Sequence, residues 1–347
     1  MSLPYNHNLP INLLSAVFNK TTATYKFYWL IAIIESVESG NLEIPKNELF
    51  ARMISNSWYT INYFHLSFGK FDMLQEAVNE LAEIENLTID ENKDVIFNKL
   101  ITSEKTKTKA ILKHFDSNVP HWFLSPWFPK MTKKEIYRLS QLLENDVLYA
   151  LFNDKVVVNS IWVEYLRQNA KIIKDYCYWN LSLFLQTRNP NVPDIANKLI
   201  KPAIRSGLQR QTNNFWKPIF IEFGYIECIF TRQKLTYNPR NFAVDHFVPY
   251  AFVSHDLIWN LIPIDRSFNS VKSDKLPPFE IYFERFKNIQ KSAFEFHLNR
   301  QNSERVLEDY LTIFPSLTHF DEDIFQKPIQ PLITIASNNG FLFINEN

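Results

Sequence analysis

Val244-Asp245-His246-Phe247-Val248-Pro249, then Asn260, then Phe268-Asn269-Ser270-Val271-Lys272-Ser273-Asp274-Lys275-Leu276-Pro277 is the stretch on which the reading of this chain turns. Before it, Tyr225 to Phe230 reads as a short strand and Thr231 to Asn241 as a polar turn region. Phe242 to Val244 reads as a second strand that ends at the Asp-His pair. Asp265 to Lys272 can start a short helix with Asn269 near its beginning. Two strands and a helix would then surround one pocket. Consecutive residues of a regular strand point to opposite faces, so Asp245 and His246 share the pocket only if the chain bends after the strand.

Hydrolysis of a phosphodiester needs a base for the attacking water, a cation for the charge that grows on the phosphate, and ligands that orient the cation. A neutral imidazole accepts a proton near neutral pH, which makes His246 the candidate base. Asp245 offers an anionic oxygen and Asn269 a neutral carbonyl oxygen, the donor types that Mg2+ or Mn2+ accepts alongside water. Asn260 is grouped with the catalytic residues, although its amide is better suited to bonding loop backbone and so holding the base-bearing loop. Lys272, one turn beyond Asn269, is expected to reach a phosphate or the transition-state charge.

These residues resemble the HNH endonuclease motif. They are most similar to the HNH domain of RNA-guided CRISPR effector nucleases, in which an Asp-His-x-x-Pro element precedes a middle Asn and an Asn-x-x-Lys-Ser-Asp element. Cys228-Ile-Phe-Thr-Arg-Gln-Lys-Leu235 also resembles the hairpin before the Asp-His pair, so the likeness runs over residues 225 to 278. It implies a ββα-metal fold with His246 as general base, Asp245 and Asn269 on magnesium, and Asn260 as the structural middle residue. Two departures stand out. The third motif letter is Asn269 rather than His, as in the CRISPR subgroup, and Arg232 replaces a common Gly in the hairpin. The other signature domains of a CRISPR effector are not visible, so guidance by RNA does not follow.

Outward from the motif, the charge balance changes. Lys198, Lys201, Arg205, Arg210, Lys217, Arg232, Lys234 and Arg240 face only Glu222 and Glu227 between residues 198 and 240. In a chain of net charge zero this local excess is a physical reason for phosphate affinity. Arg232, Lys234, Arg240, Arg266 and Lys275 are the candidate nucleic-acid contacts, with DNA the expected partner. His255 reads as a solvated loop residue. His114 and His121, separated by seven residues and Pro120, read as structural rather than as a metal pair.

From Leu13 to about Gln186 apolar residues recur at helical spacing, as in Tyr25, Trp29, Ile33 and Val37. The aromatic stripe over Tyr25, Phe27, Tyr28 and Trp29 is expected as core rather than as a stacking platform. Gly40 closes the first strong helix and Pro45 opens the next. Val119 to Pro129, with three prolines, suits an irregular packed connection. Arg188-Asn-Pro-Asn-Val-Pro193 ends the helical pattern and marks a boundary.

The expected fold class is α+β: a mainly helical recognition or partner domain over 1–190, a ββα-metal nuclease domain over 191–300, and a docking tail over 301–347. Two cysteines, Cys177 and Cys228, fit neither a zinc ribbon nor a disulfide framework and suit a reducing cytoplasm. No apolar run approaches the roughly 20 residues that cross a bilayer. The composition and nuclease type are compatible with bacterial restriction or phage defence. Two other readings remain open: an inactive nucleic-acid-binding scaffold, and an effector restrained until its N-terminal half senses a ligand or protein.

Overall fold

A computed structural model describes residues 2–199, 207–300 and 303–345. It divides into two compact units: Met1–Pro190 with Ile195–Lys201, and Asn191–Asp194 with Pro202–Asn347.

The first unit is built around helix α1 (Tyr25–Glu38), whose sequence is apolar on nearly every face and buried without interruption from Phe27 to Ile34. A helix of that kind is stable only when enclosed. Helices α2 (Lys46–Asn62) and α3 (Ala170–Arg188) pack against it. The aromatic stripe is core, with Phe27, Tyr28 and Trp29 buried. Gly40, at φ +85°, follows the end of α1 in a left-handed conformation that suits glycine, and Pro45 is the residue before α2.

Helical spacing does not reveal the small antiparallel sheet of this unit. It is formed by β1 (Glu43–Pro45), β2 (Tyr149–Leu151) and β3 (Lys155–Val158) in the order β1-β3-β2, with Ile44 opposite Val156 and Ala150 opposite Val157. Trp29 Nε1 donates to the Tyr149 hydroxyl at 3.0 Å, and that hydroxyl donates to the Pro120 carbonyl at 2.7 Å. The core helix, the sheet and the 119–123 helix are thereby tied through satisfied buried polar groups. His121 is buried here. Burial, and after it the Lys133 ammonium, push its imidazole down to about 4, against the opposing pull of Asp116.

In the second unit β4 (Ile226–Glu227) and β5 (Lys234–Leu235) form a short hairpin. Arg232 adopts φ +63° in its turn, the conformation for which glycine is the usual residue, so the turn is kept despite the larger side chain. Strand β6 (Phe242–His246) is longer than the sequence suggests and carries both Asp245 and His246. It does not pair with the 225–230 segment. Its partner is β7 (Leu261–Asp265), antiparallel, with His246 opposite Leu261 and Phe242 opposite Asp265.

Helix α4 (Arg266–Lys272) begins directly after β7, capped by the Asp265 carboxylate, which accepts from Phe268 N at 3.0 Å. Behind the strands lies α5 (Phe279–Leu298), whose Phe286 stacks on Phe247 at 4.1 Å between centroids. The buried Gln290 amide of α5 donates to the Leu261 and Ile258 carbonyls at 2.6 and 3.2 Å, which fixes the start of β7. Residues 303–345, read from sequence as a docking tail, supply core to this unit. Helix α6 (Glu322–Asn338) buries Phe325, Ile329 and Ile333, and Leu276 forms a parallel bridge with Phe343. Lys201, Arg205 and the ends of the expected tail (301–302 and 346–347) lie outside the described residues.

Candidate functional site

The antiparallel pair β6–β7 and helix α4 bring the motif residues together from three separate stretches. His246, at the end of β6, is 2 % exposed. Its Nε2 lies 2.9 Å from Asp256 Oδ1 and 3.1 Å from the His255 carbonyl oxygen. A carboxylate and a carbonyl can only accept, so Nε2 carries the hydrogen and, in the neutral ring, the lone pair resides on Nδ1. Nδ1 is 4.0 Å from Asp245 Oδ1, so the basic nitrogen is turned toward the side of the site where Asp245 stands. The Tyr250 ring meets the imidazole edge-on at 5.5 Å.

Asn260 is fully buried. Its Oδ1 accepts from Val248 N and its Nδ2 donates to Val248 O, both at 2.9 Å, while its own carbonyl accepts from Phe247 N at 2.7 Å. One residue, through its side chain at Val248 and its backbone carbonyl at Phe247, thus clamps the two residues that follow His246. The Lys272 ammonium, expected to reach a phosphate, is buried and donates to Asp245 Oδ2 at 2.7 Å. This bond orients the carboxylate and occupies Oδ2, which directs Oδ1 toward any other cation.

Lys272 and Asn269 lie three residues apart on α4 and therefore share the face that adjoins Asp245. Asn269 is half-buried. One carboxylate oxygen, one neutral amide oxygen and room for water form a donor set that suits a hard divalent cation. Among the described residues no group of three or more His, Cys, Asp and Glu side chains could hold a metal.

The expected nucleic-acid contacts are found in different states. Arg232 Nε is paired with Glu227 at 3.0 Å, the Lys234 ammonium sits 4.4 Å above the Tyr225 ring, and Arg240 is exposed. Arg266 Nη1 donates to the Pro239 carbonyl, and Lys275 is half-buried just past α4. Sequence reading missed Asp256. It lies in a loop taken as surface, and only the chain reversal through Ser254, at φ +58°, carries it back to His246. An Asp ten residues after a candidate base was the one available signal. Asp256 also lines a cleft of about 500 Å³ with Arg210 and Arg305.

Residues 228–278 match a family model described as HNH endonuclease. The matched segment runs from the β4–β5 hairpin through the Asp-His strand and α4, and supports nuclease chemistry, with its nucleic-acid binding and general metal dependence, for that part of the chain. No curated protein and no solved structure matches the chain.

Proposed function

We propose that this protein is a metal-dependent HNH endonuclease that hydrolyses phosphodiester bonds of DNA, with His246 as general base and one Mg2+ or Mn2+ held by Asp245 and Asn269. The observation that carries the reading is the fixed state of His246: Nε2 is engaged by two acceptors, which leaves Nδ1 as the proton acceptor beside Asp245. His246 takes the proton of the attacking water on Nδ1, and the imidazolium so formed is stabilised through Nε2 by the Asp256 carboxylate. Asn260 keeps the base in register by clamping Val248, and Lys272 keeps Asp245 oriented. When bound, the cation neutralises charge on the phosphate. The oxygen that leaves phosphorus takes its proton from solvent.

Arg232, Lys234, Arg240, Arg266 and Lys275 are assigned to the phosphate backbone, which would make binding strongly salt-dependent. The Asn269-to-Asp274 element supports a likeness to the HNH domain of CRISPR effectors, without a guide RNA. A role in bacterial restriction or phage defence and a cytoplasmic location fit this chemistry and the two buried free thiols. The helical unit is assigned to target or partner recognition.

The test is conversion of supercoiled plasmid to nicked or linear form with Mg2+ or Mn2+. Wild type is expected to cleave, and EDTA, Asp245→Ala and Asn269→Ala to abolish cleavage. Equal products from wild type, both variants and the chelated control would sink the proposal.

A further inference from the structure

The N-terminal unit contains a cavity of about 1130 Å³ whose lining plays no part in the chemistry above. Small-molecule sites commonly enclose roughly 300–1,000 Å³, so the space holds a ligand of nucleotide size with room to spare. Four cations, Lys20, Lys26, Lys130 and Arg188, line it, and no Asp or Glu is among the lining residues. Among the described residues Lys20, Lys130 and Arg188 have no ion-pair partner. The Lys26 ammonium is met only by two carbonyl oxygens, of Val17 at 3.0 Å and Lys20 at 3.3 Å. Burial lowers its pKa from the ordinary lysine value, a cost that an anion in the cavity would offset. Asp72 is the nearby carboxylate. It is buried and turned to the backbone N–H groups of Thr24 and Leu74, and it interacts with Arg188 and with the lining residue Tyr25.

The aromatic lining is equally unusual. Phe71 is 86 % and Trp122 54 % exposed, although Phe123, Trp127 and Phe128 beside Trp122 are all buried. Large rings that line a cationic cavity and remain exposed to water present π-surface next to phosphate-binding groups, although one neighbour of Trp122 is the His121 ring at 5.3 Å. An acidic peptide would use the cations and leave the rings idle, and an apolar ligand would do the reverse. A phosphate attached to a planar base uses both.

We infer that this cavity binds a nucleotide unit, with an unpaired base against Trp122 and Phe71 and its phosphate on Lys20, Lys130 and Arg188. The unit has two sources with the same chemistry, a free nucleotide and a splayed nucleotide of a single strand. The inference stands apart from the nuclease assignment, since every residue in it belongs to the other unit.

The test uses the full chain in EDTA, so that no probe is cleaved. Binding of labelled oligothymidylate and of labelled ATP is measured by fluorescence anisotropy, with inorganic tripolyphosphate as competitor. Lys20→Glu with Lys130→Glu is expected to weaken binding about tenfold or more, with a shallower salt dependence. Trp122→Ala is expected to weaken it about fivefold or more while leaving tripolyphosphate affinity unchanged. All three residues are at the surface, and circular dichroism checks that the variants fold. ATP binding alone identifies a free nucleotide as the ligand, and oligothymidylate binding a strand. No binding of either probe at millimolar concentration overturns the inference. So does binding untouched by the variants, or tripolyphosphate competing equally with no effect of Trp122→Ala.

Discussion

Asp256→Asn is the perturbation that separates a tuned base from a histidine merely packed in place. In the wild type the carboxylate accepts from His246 Nε2 at 2.9 Å, and its side chain is 25 % exposed. As Nδ1 takes a proton, the ring becomes a cation and this bond becomes a salt bridge, so the carboxylate acts more strongly on the transition state than on the ground state. A hydrogen bond to a charged group contributes about 1.5–3 kcal/mol and a neutral one about 0.5–1.5 kcal/mol. The difference, discounted because water reaches Asp256, leaves roughly 1 kcal/mol, a fivefold to tenfold slower chemical step. The loss is larger if the new amide presents its NH2 to Nε2, because the ring must then shift its hydrogen to Nδ1. Single-turnover cleavage of a labelled duplex at saturating Mn2+ measures the step. We expect kcat to fall with KM unchanged, and Asp256→Glu to recover part of the rate. A wild-type rate in Asp256→Asn, or a change confined to KM, would refute the role.

Three further outcomes follow from buried polar groups. Asn260→Ala removes both hydrogen bonds to Val248 and strands a buried N–H and C=O, which is expected to cost about 2–4 kcal/mol in urea unfolding; an unchanged midpoint would contradict the clamp. Lys272→Met leaves Asp245 unpaired but partly solvated and is expected to cost about 1–3 kcal/mol, read by thermal unfolding in EDTA. His121 is held near pKa 4 in the folded chain against 6.5 in the unfolded chain. The unfolded state therefore binds more protons between these values, and stability present above pH 6.5 is lost as pH falls toward 4. With allowance for partial solvation the loss is about 1–2 kcal/mol, and His121→Asn should flatten the dependence.

What the sequence made legible was the part whose chemistry requires particular residues in a particular order. Asp245, His246, Asn260 and Asn269 were picked out together because the proposed base, anionic ligand, amide ligand and clamp demand different side chains; the family match covers the same segment. Helix α1 was legible because apolar residues recur at helical spacing from Tyr25 to Val37. The sheet β1-β3-β2 was not, since strands of three or four residues have too little alternation, and β1 lies more than a hundred residues from its partner. Asp256 escaped because its meeting with His246 depends on a left-handed residue at Ser254, which local composition does not announce. Helix α6 was hidden by Pro328 and Pro331, which ordinarily break a helix and are accommodated here by the packing of its buried face. Trp122, within a stretch read as packed, turned out to face solvent.

The proposed base role of His246 is measured by the rate of plasmid cleavage by His246→Ala beside wild type, in Mn2+ and at equal protein concentration. General-base catalysis contributes about 10²–10⁴-fold, so the variant should fall by that factor while retaining DNA binding. A His246→Ala protein that cleaves at the wild-type rate would place the base elsewhere.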